Sequence, residues 1–203
     1  MKVLFRAFLI SSVIFPVYIT HAQQACTPDP SYTEFGIYTS DTSGLPHGCE
    51  NEPYSEVITA VIPDSLGGYP LIDVTLLSVN GLPDSMGYAC NPSNCVFLPN
   101  TSACILLAGI PKTAGTYSIR VSLRVKVRVI FIPVTVDTTF TLGDFVVDAK
   151  DCAGVCGGSA SVDACGICSG GTTGILPDCD DNDPCTADQC DGMGGCLPHE
   201  IYA

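Results

Sequence analysis

Thirteen cysteines and a run of carboxylates are the side chains in this sequence whose types and spacing could do chemistry. Cys165 and Cys168 form a Cys-x-x-Cys pair, the arrangement of a dithiol redox centre. That chemistry needs a lowered thiol pKa, which a helix start supplies, and this segment is glycine-rich with no strand–helix–strand pattern around it. Cys152, Cys156, Cys165 and Cys168 together have a spacing that a four-thiolate zinc site tolerates, and two disulfides are the other reading. Farther on, Asp178, Asp180 and Asn182 occupy alternate positions, with Asp183 and Asp188 close by. Oxygen ligands spaced in this way suit calcium wrapped by a single loop. Asp183 stands where an EF-hand needs glycine, and no glutamate closes the loop, so the segment is not an EF-hand. A solvated acidic linker is the alternative, although crowded carboxylates favour a cation. Of the three histidines, His21 lies in the apolar amino-terminal stretch, and His47 (in LPHGC) and His199 have no evident catalytic partners. With no HExxH, GxSxG or phosphate-loop motif, the chain is expected to be no enzyme, with no catalytic residue and no cofactor other than calcium.

The compartment follows from the amino end and the cysteines. Lys2 and Arg6 precede a greasy run at 7–19, and Thr20-His21-Ala22 offers a small-residue cleavage site. This pattern is that of an export signal at 1–22, too short to span a bilayer comfortably, with a buried strand or retained anchor as the alternative. A lipid on Cys26 is disfavoured because Gln23-Gln24-Ala25 lacks the aliphatic residue a lipoprotein signal wants. Loss of the signal leaves six basic against 21 acidic side chains, a net charge of −15. Nucleic acid is excluded as a partner for such a surface, and calcium or cationic surfaces suit it better. Contact with a membrane is expected only through the signal. An exported chain with this many cysteines should hold disulfides, and Cys26, Cys49, Cys90, Cys95, Cys104, Cys152, Cys156, Cys165, Cys168, Cys179, Cys185, Cys190 and Cys196 are all candidates. Their odd number leaves at least one unpaired unless part of the chain is missing.

Positioning of these groups falls to strands. Between 117 and 128, Tyr117, Ile119, Val121, Leu123, Val125 and Val127 alternate with Ser118, Arg120, Ser122, Arg124, Lys126 and Arg128. A period of two predicts a strand buried on one face and wet on the other. Its wet face carries four of the six remaining cations, Arg120, Arg124, Lys126 and Arg128. They form either a docking stripe for an anionic polymer, a neighbouring domain or the acidic tail, or a sheet face paired to carboxylates across strands. Further strands are predicted near 35–39, 54–62, 71–79, 86–90 and 103–107, and a kink around 129–133 permits a return strand at 134–142. Pro133 belongs at a turn or an edge, since proline cannot donate to a ladder. No window repeats apolar residues at helical spacing. Short strands with turns every eight to twelve residues give an all-β class, an antiparallel sandwich over 27–148. Cys26 and Cys49 could close the irregular lead-in, and Cys90, Cys95 and Cys104 should pin the loop beside the long strand. Residues 149–203 form a separate Cys/Gly/Asp-rich tail, ordered by disulfides or ions because it has too few large apolar residues for a core. Its first part repeats loosely, CAGVCGG and then CGICSGG.

Gly81-Leu82-Pro83, Gly109-Ile110-Pro111 and Ala114-Gly115-Thr116-Tyr117 resemble the G-L-P, G-x-P and A-G-T-Y framework of Ig-like domains in large bacterial surface proteins. With Cys90, Cys95 and Cys104 interleaved, the segment looks most like the variant in proteins exported by the type IX route. DCAGVCGG and DACGICSGG are similar to Cys/Gly linkers of such proteins, and CDDNDPCTADQCDGMGGC to acidic Cys repeats of matrix and surface proteins. The resemblance implies an Ig-like sandwich on a secreted or cell-surface protein whose partner is a cell-surface or matrix glycan or protein. It further implies O-glycosylation at Asp64-Ser65-Leu66, Asp84-Ser85-Met86 or Asp137-Thr138-Thr139. Asn100-Thr101-Ser102 fits an N-glycan sequon in a eukaryotic host. Nothing after Cys196 resembles the sorting domain that usually ends such proteins, so a fragment or another export route is expected. Adhesion or spacing by a non-catalytic module is the function this supports. The other classes are an accessory, for example carbohydrate-binding, module of a larger secreted enzyme, or a small inhibitor built on 179–196. Calorimetric titration should give saturable calcium binding that disappears when Asp180→Asn and Asp183→Asn are introduced together; absence of heat returns the tail to plain linker.

Overall fold

The computed structural model describes residues 26–163, 165–175, 186–187, 197 and 200–201. The signal segment, the calcium candidates Asp178, Asp180, Asn182, Asp183 and Asp188, and Cys179, Cys185, Cys190 and Cys196 lie outside the described residues. Every predicted strand forms. They are β1 (Gly36–Tyr38), β3 (Tyr54–Val61), β5 (Tyr69–Asn80), β6 (Met86–Asn91), β8 (Ser102–Gly109), β9 (Gly115–Val129) and β10 (Ile132–Asp148), and three two-residue strands that the sequence does not announce join them: β2 (Gly48–Cys49), β4 (Ser65–Leu66) and β7 (Val96–Phe97). Among the described residues there is no helix. The return strand is the main departure in extent. It runs 17 residues rather than the nine of 134–142: the two-residue turn Ile130-Phe131 adds Ile132 and Pro133 at its start, and pairing with β9 resumes past the register shift between Thr141 and Gly143 to carry it on to Asp148.

Two sheets form the sandwich, and among the described residues the tail adds two short ribbons, Ser161–Val162 with Cys168–Ser169 and Thr186–Ala187 with Glu200–Ile201. One sheet of the sandwich has the order β1-β3-β8-β6, and the other β2-β10-β9-β5-β4 with β7 also on β5. Naming β1, β3, β5, β6, β8, β9 and β10 as A to G in chain order gives ABED against CFG, the arrangement of a constant-type Ig sandwich. The inner faces meet in one core that includes Ile58, Ile105, Leu107, Val74, Ile119, Val121 and Phe145. Ile119 and Val121 come from the parity of β9 expected to be buried. Close approach between neighbouring strands depends on glycine at three points. A side chain at Gly48 would strike the Phe145 ring, and Phe145 in turn packs on Tyr54. At Gly81 a Cβ would collide with the Ser118 carbonyl oxygen, and at Gly109 with that of Ser85. These are two of the framework glycines, and backbone crowding is the physical reason for glycine at each.

The disulfides correct two expectations. Cys26 bonds Cys104, and Cys49 bonds Cys156, so the lead-in does not close on itself. Cys104 leaves the Cys90–Cys95 group because successive residues of a strand face opposite ways. On β8, Ile105 points into the main core, whereas Cys104 and Leu106 form a second cluster with Cys26 on the outer face. The lead-in is laid over that face. The Asp29 amide donates to Thr59 Oγ1 at 3.0 Å, and Asn91 Nδ2 donates to the Cys26 carbonyl at 2.9 Å.

Loop length decides which bridge matters most. The Cys26–Cys104 bond closes 78 residues and Cys90–Cys95 closes five. Chain-entropy reasoning assigns them about 4 and about 2 kcal/mol. Paired Cys26→Ala and Cys104→Ala changes should therefore lower unfolding stability by roughly twice as much as Cys90→Ala with Cys95→Ala, read by denaturant titration. Equal losses would contradict this ranking.

Candidate functional site

The β9–β10 ribbon gathers the features able to bind something. Its register pairs Val127 with Val134, Val125 with Val136, Leu123 with Thr138 and Val121 with Phe140, so one face is apolar along its length. The opposite face carries the cationic stripe. Arg124 Nε and Nη2 donate to the two carboxylate oxygens of Asp137 at 2.8 Å each, a bidentate pair across the strands. The Arg124 hydrogen bonds hold the Asp137 carboxyl below its ordinary range. Arg120 lies between Asn80 and Thr141, Lys126 between Asp73 and Thr135, and Arg128 opposite Pro133. Among the described ion pairs, Arg124 is the one member of the stripe that takes part. The stripe is thus neither wholly neutralised across strands nor four open charges.

The edge of β10 is largely open. Among the described residues its outer side is paired only by β2, at Val147 and Asp148. Ile132 is the closing residue of a two-residue turn, so Ile132, Val134, Val136, Thr138 and Phe140 direct their backbone groups to β9. Thr135, Asp137, Thr139 and Thr141 direct theirs outward. Pro133 falls among the outward set, where its missing N–H costs no ladder bond. Beside this edge the two layers part to leave an apolar slot of about 360 Å³. Phe35 and Ile37 line one lip, and Phe140 and Leu142 the other, with Phe97 and Ile105 deeper in.

A buried carboxylate escaped the sequence reading. Glu56 is 5 % exposed and accepts from the Ser40 amide at 2.7 Å and the Ser40 hydroxyl at 2.8 Å. Parity carries the signal for it: Glu56 alternates with Ile58 and Ala60, which face the core. Its neighbour Tyr54 donates to the Pro46 carbonyl at 3.1 Å. Burial first, and the Glu56 charge second, push the Tyr54 phenol well above its ordinary range. Both groups tie the lead-in to the sandwich. His47 Nδ1 stands 3.0 Å from Asp148 Oδ2 at an exposed site, a loop contact as expected of a residue in LPHGC.

In the tail, the two halves of the loose repeat fold alike. The carboxylate of Asp151 accepts from the amides of Ala153 and Val155, and that of Asp163 from those of Cys165 and Ile167. In each, the aspartate amide donates four residues ahead and a glycine three residues ahead donates back. Those glycines, Gly154 and Gly166, have φ of 79° and 78°, which a side chain would oppose. Backbone donors, Val155 foremost, hold the Asp151 carboxyl below its ordinary range. Cys152 bonds Cys168, while Cys156 reaches back to Cys49 and Cys165 is disulfide-bonded too. The four cysteines therefore neither pair among themselves alone nor form the Cys165–Cys168 dithiol or a thiolate zinc cage. Among the described residues no cluster of His, Cys, Asp and Glu could hold a metal.

Oxidised sulfurs at this density mark an oxidising compartment. Among the described residues no helix is long and apolar enough to cross a membrane. No family model matches the chain, and no curated protein is significantly similar to it. A solved structure to which it is similar is a family 123 glycoside hydrolase from Clostridium perfringens, described for glycolipid glycan hydrolysis, at 15 % identity. The match covers 49 % of this chain and 22 % of that one, with a TM-score of 0.25. A likeness of that size bears on neither activity nor substrate.

Proposed function

We propose that this chain is an exported, non-catalytic Ig-like binding module of the cell surface, whose tail serves as a cross-linked spacer stiffened by calcium. Its partner is a cell-surface or matrix protein that adds an extended segment to β10 and drops alternate apolar side chains into the neighbouring slot. The observation that carries this is the open edge of β10 lying beside that slot. Strand addition draws affinity from main-chain hydrogen bonds and specificity from pockets for every second side chain, and both elements are adjacent here. A glycan would need convergent polar groups, and the slot is lined by apolar ones. The run 134–141 also lacks the charges that usually blunt an edge, since Asp137 is neutralised by Arg124.

A binding array of matrix proteins and glycans, probed with the full chain and with Val136→Lys, tests this reading. Val136 is 54 % exposed, so a lysine there should leave the fold in place while setting a charge on the apolar face. The expected result is capture by a protein that weakens by about tenfold or more in the variant, equivalent to at least about 1.4 kcal/mol. Capture by glycans alone, or a variant that binds as well as the parent, would overturn it.

A further inference from the structure

The turn joining β9 to β10 is built against its own local preference. Ile130, Phe131 and Ile132 are 80 %, 89 % and 68 % exposed. Two-residue hairpin turns take Asn, Asp or Gly where φ is positive, and Ile130 occupies such a position at φ 60°. A β-branched side chain is disfavoured there, so folding alone would select a different residue. The described pairing of β9 with β5 ends at Val127 opposite Leu71, so among the described residues Arg128 and Val129 are paired by β10 alone. Behind the tip, Lys126 and Arg128 share a shallow depression with Phe131, Ile72 and Pro133. Neither cation belongs to a described ion pair.

We propose that this tip is a membrane-contact site that inserts into anionic lipid, a role beyond the strand-docking function above. Its charge arrangement selects the occupant: in a chain of net charge −13, two cations outside every described ion pair stand immediately behind the most exposed large apolar side chains among the described residues. Apolar side chains of interfacial elements enter roughly 5–10 Å, to the boundary between headgroups and acyl chains. The register sets Arg128 opposite Pro133, two residues behind Phe131 along the ribbon, and at about 3.3 Å per strand residue that is about 7 Å, within the depth of the headgroups. General repulsion between an acidic protein and an anionic surface is screened over about 8 Å at physiological salt, so the tip governs the contact.

Co-sedimentation of the full chain with phosphatidylcholine vesicles, with and without phosphatidylglycerol, tests the proposal. The parent should bind the phosphatidylglycerol vesicles about tenfold more tightly than the neutral ones, with affinity falling as salt rises. Ile130→Gly with Phe131→Asn puts glycine at the one turn position of positive φ, so it should melt no lower than the parent while losing about tenfold or more of the vesicle binding. Lys126→Gln with Arg128→Gln should keep weak binding and flatten its salt dependence. Val136→Lys should leave vesicle binding in place, which separates this site from the docking edge. A parent chain that stays in solution with both vesicles, equal affinity for the two, or a tip variant that binds unchanged would overturn the proposal. So would a tip variant that loses only protein capture, which would assign the tip to a protein pocket.

Discussion

β9 is the strand on which the sandwich depends, because it is paired along long stretches of both edges, to β10 on one side and β5 on the other. A central strand with one apolar face has a single workable register, since a slip of one residue would turn Ile119 and Val121 to solvent and Arg120 into the core. Removing an arginine from water without a partner costs more than burying a valine returns. That penalty fixes β9, β9 fixes the register of both neighbours, and the second layer closes over the face that results. The glycines at 81 and 109 act at the points where backbones must pass closest.

Each face and edge of the same ribbon has a different chemistry. The apolar face closes the core near Ile119 and becomes the floor of a slot farther out, where the opposing layer ends. Along the polar face, Arg124 and Asp137 cancel one another, and the remaining cations belong to no described ion pair. Among the described residues β10 is paired on its outer edge by β2 alone, at its last two residues. A binding role for the ribbon rests on this combination of a rigid scaffold, a free edge and an adjacent slot, and the lipid-facing tip rests on the turn alone. The tail is attached to the same scaffold through Cys49–Cys156 and through the Lys150–Glu52 ion pair.

The strands were legible because period-two alternation is a local property: residues 117–128 announce their two faces without knowledge of their neighbours. The repeat of the tail was legible for a similar reason, and its meaning, an aspartate collecting the amides of its own turn, became visible only with the backbone in place. Cysteine pairing was not legible. Which sulfurs meet depends on how layers stack, and Cys104 parts from Cys90 because neighbouring positions on paired strands face opposite sides. Glu56 draws no notice in the sequence because a lone carboxylate carries no motif, although its parity with Ile58 assigns it to the interior. The reach of β10 was underestimated because Pro133 reads as a break, whereas an edge position that points outward accommodates it. The acidic run at 178–188 keeps the reading that composition alone supports.

Hydrogen–deuterium exchange resolved to single amides tests the arrangement of the ribbon most directly. The account predicts alternation along β10: the amides of Val134, Val136, Thr138 and Phe140 protected by β9, and those of Thr135, Asp137 and Thr139 exchanging rapidly at the open edge. Uniform protection of both sets would mean that the edge is already covered, and uniform rapid exchange that the ribbon is not part of the sheet; either result would contradict it.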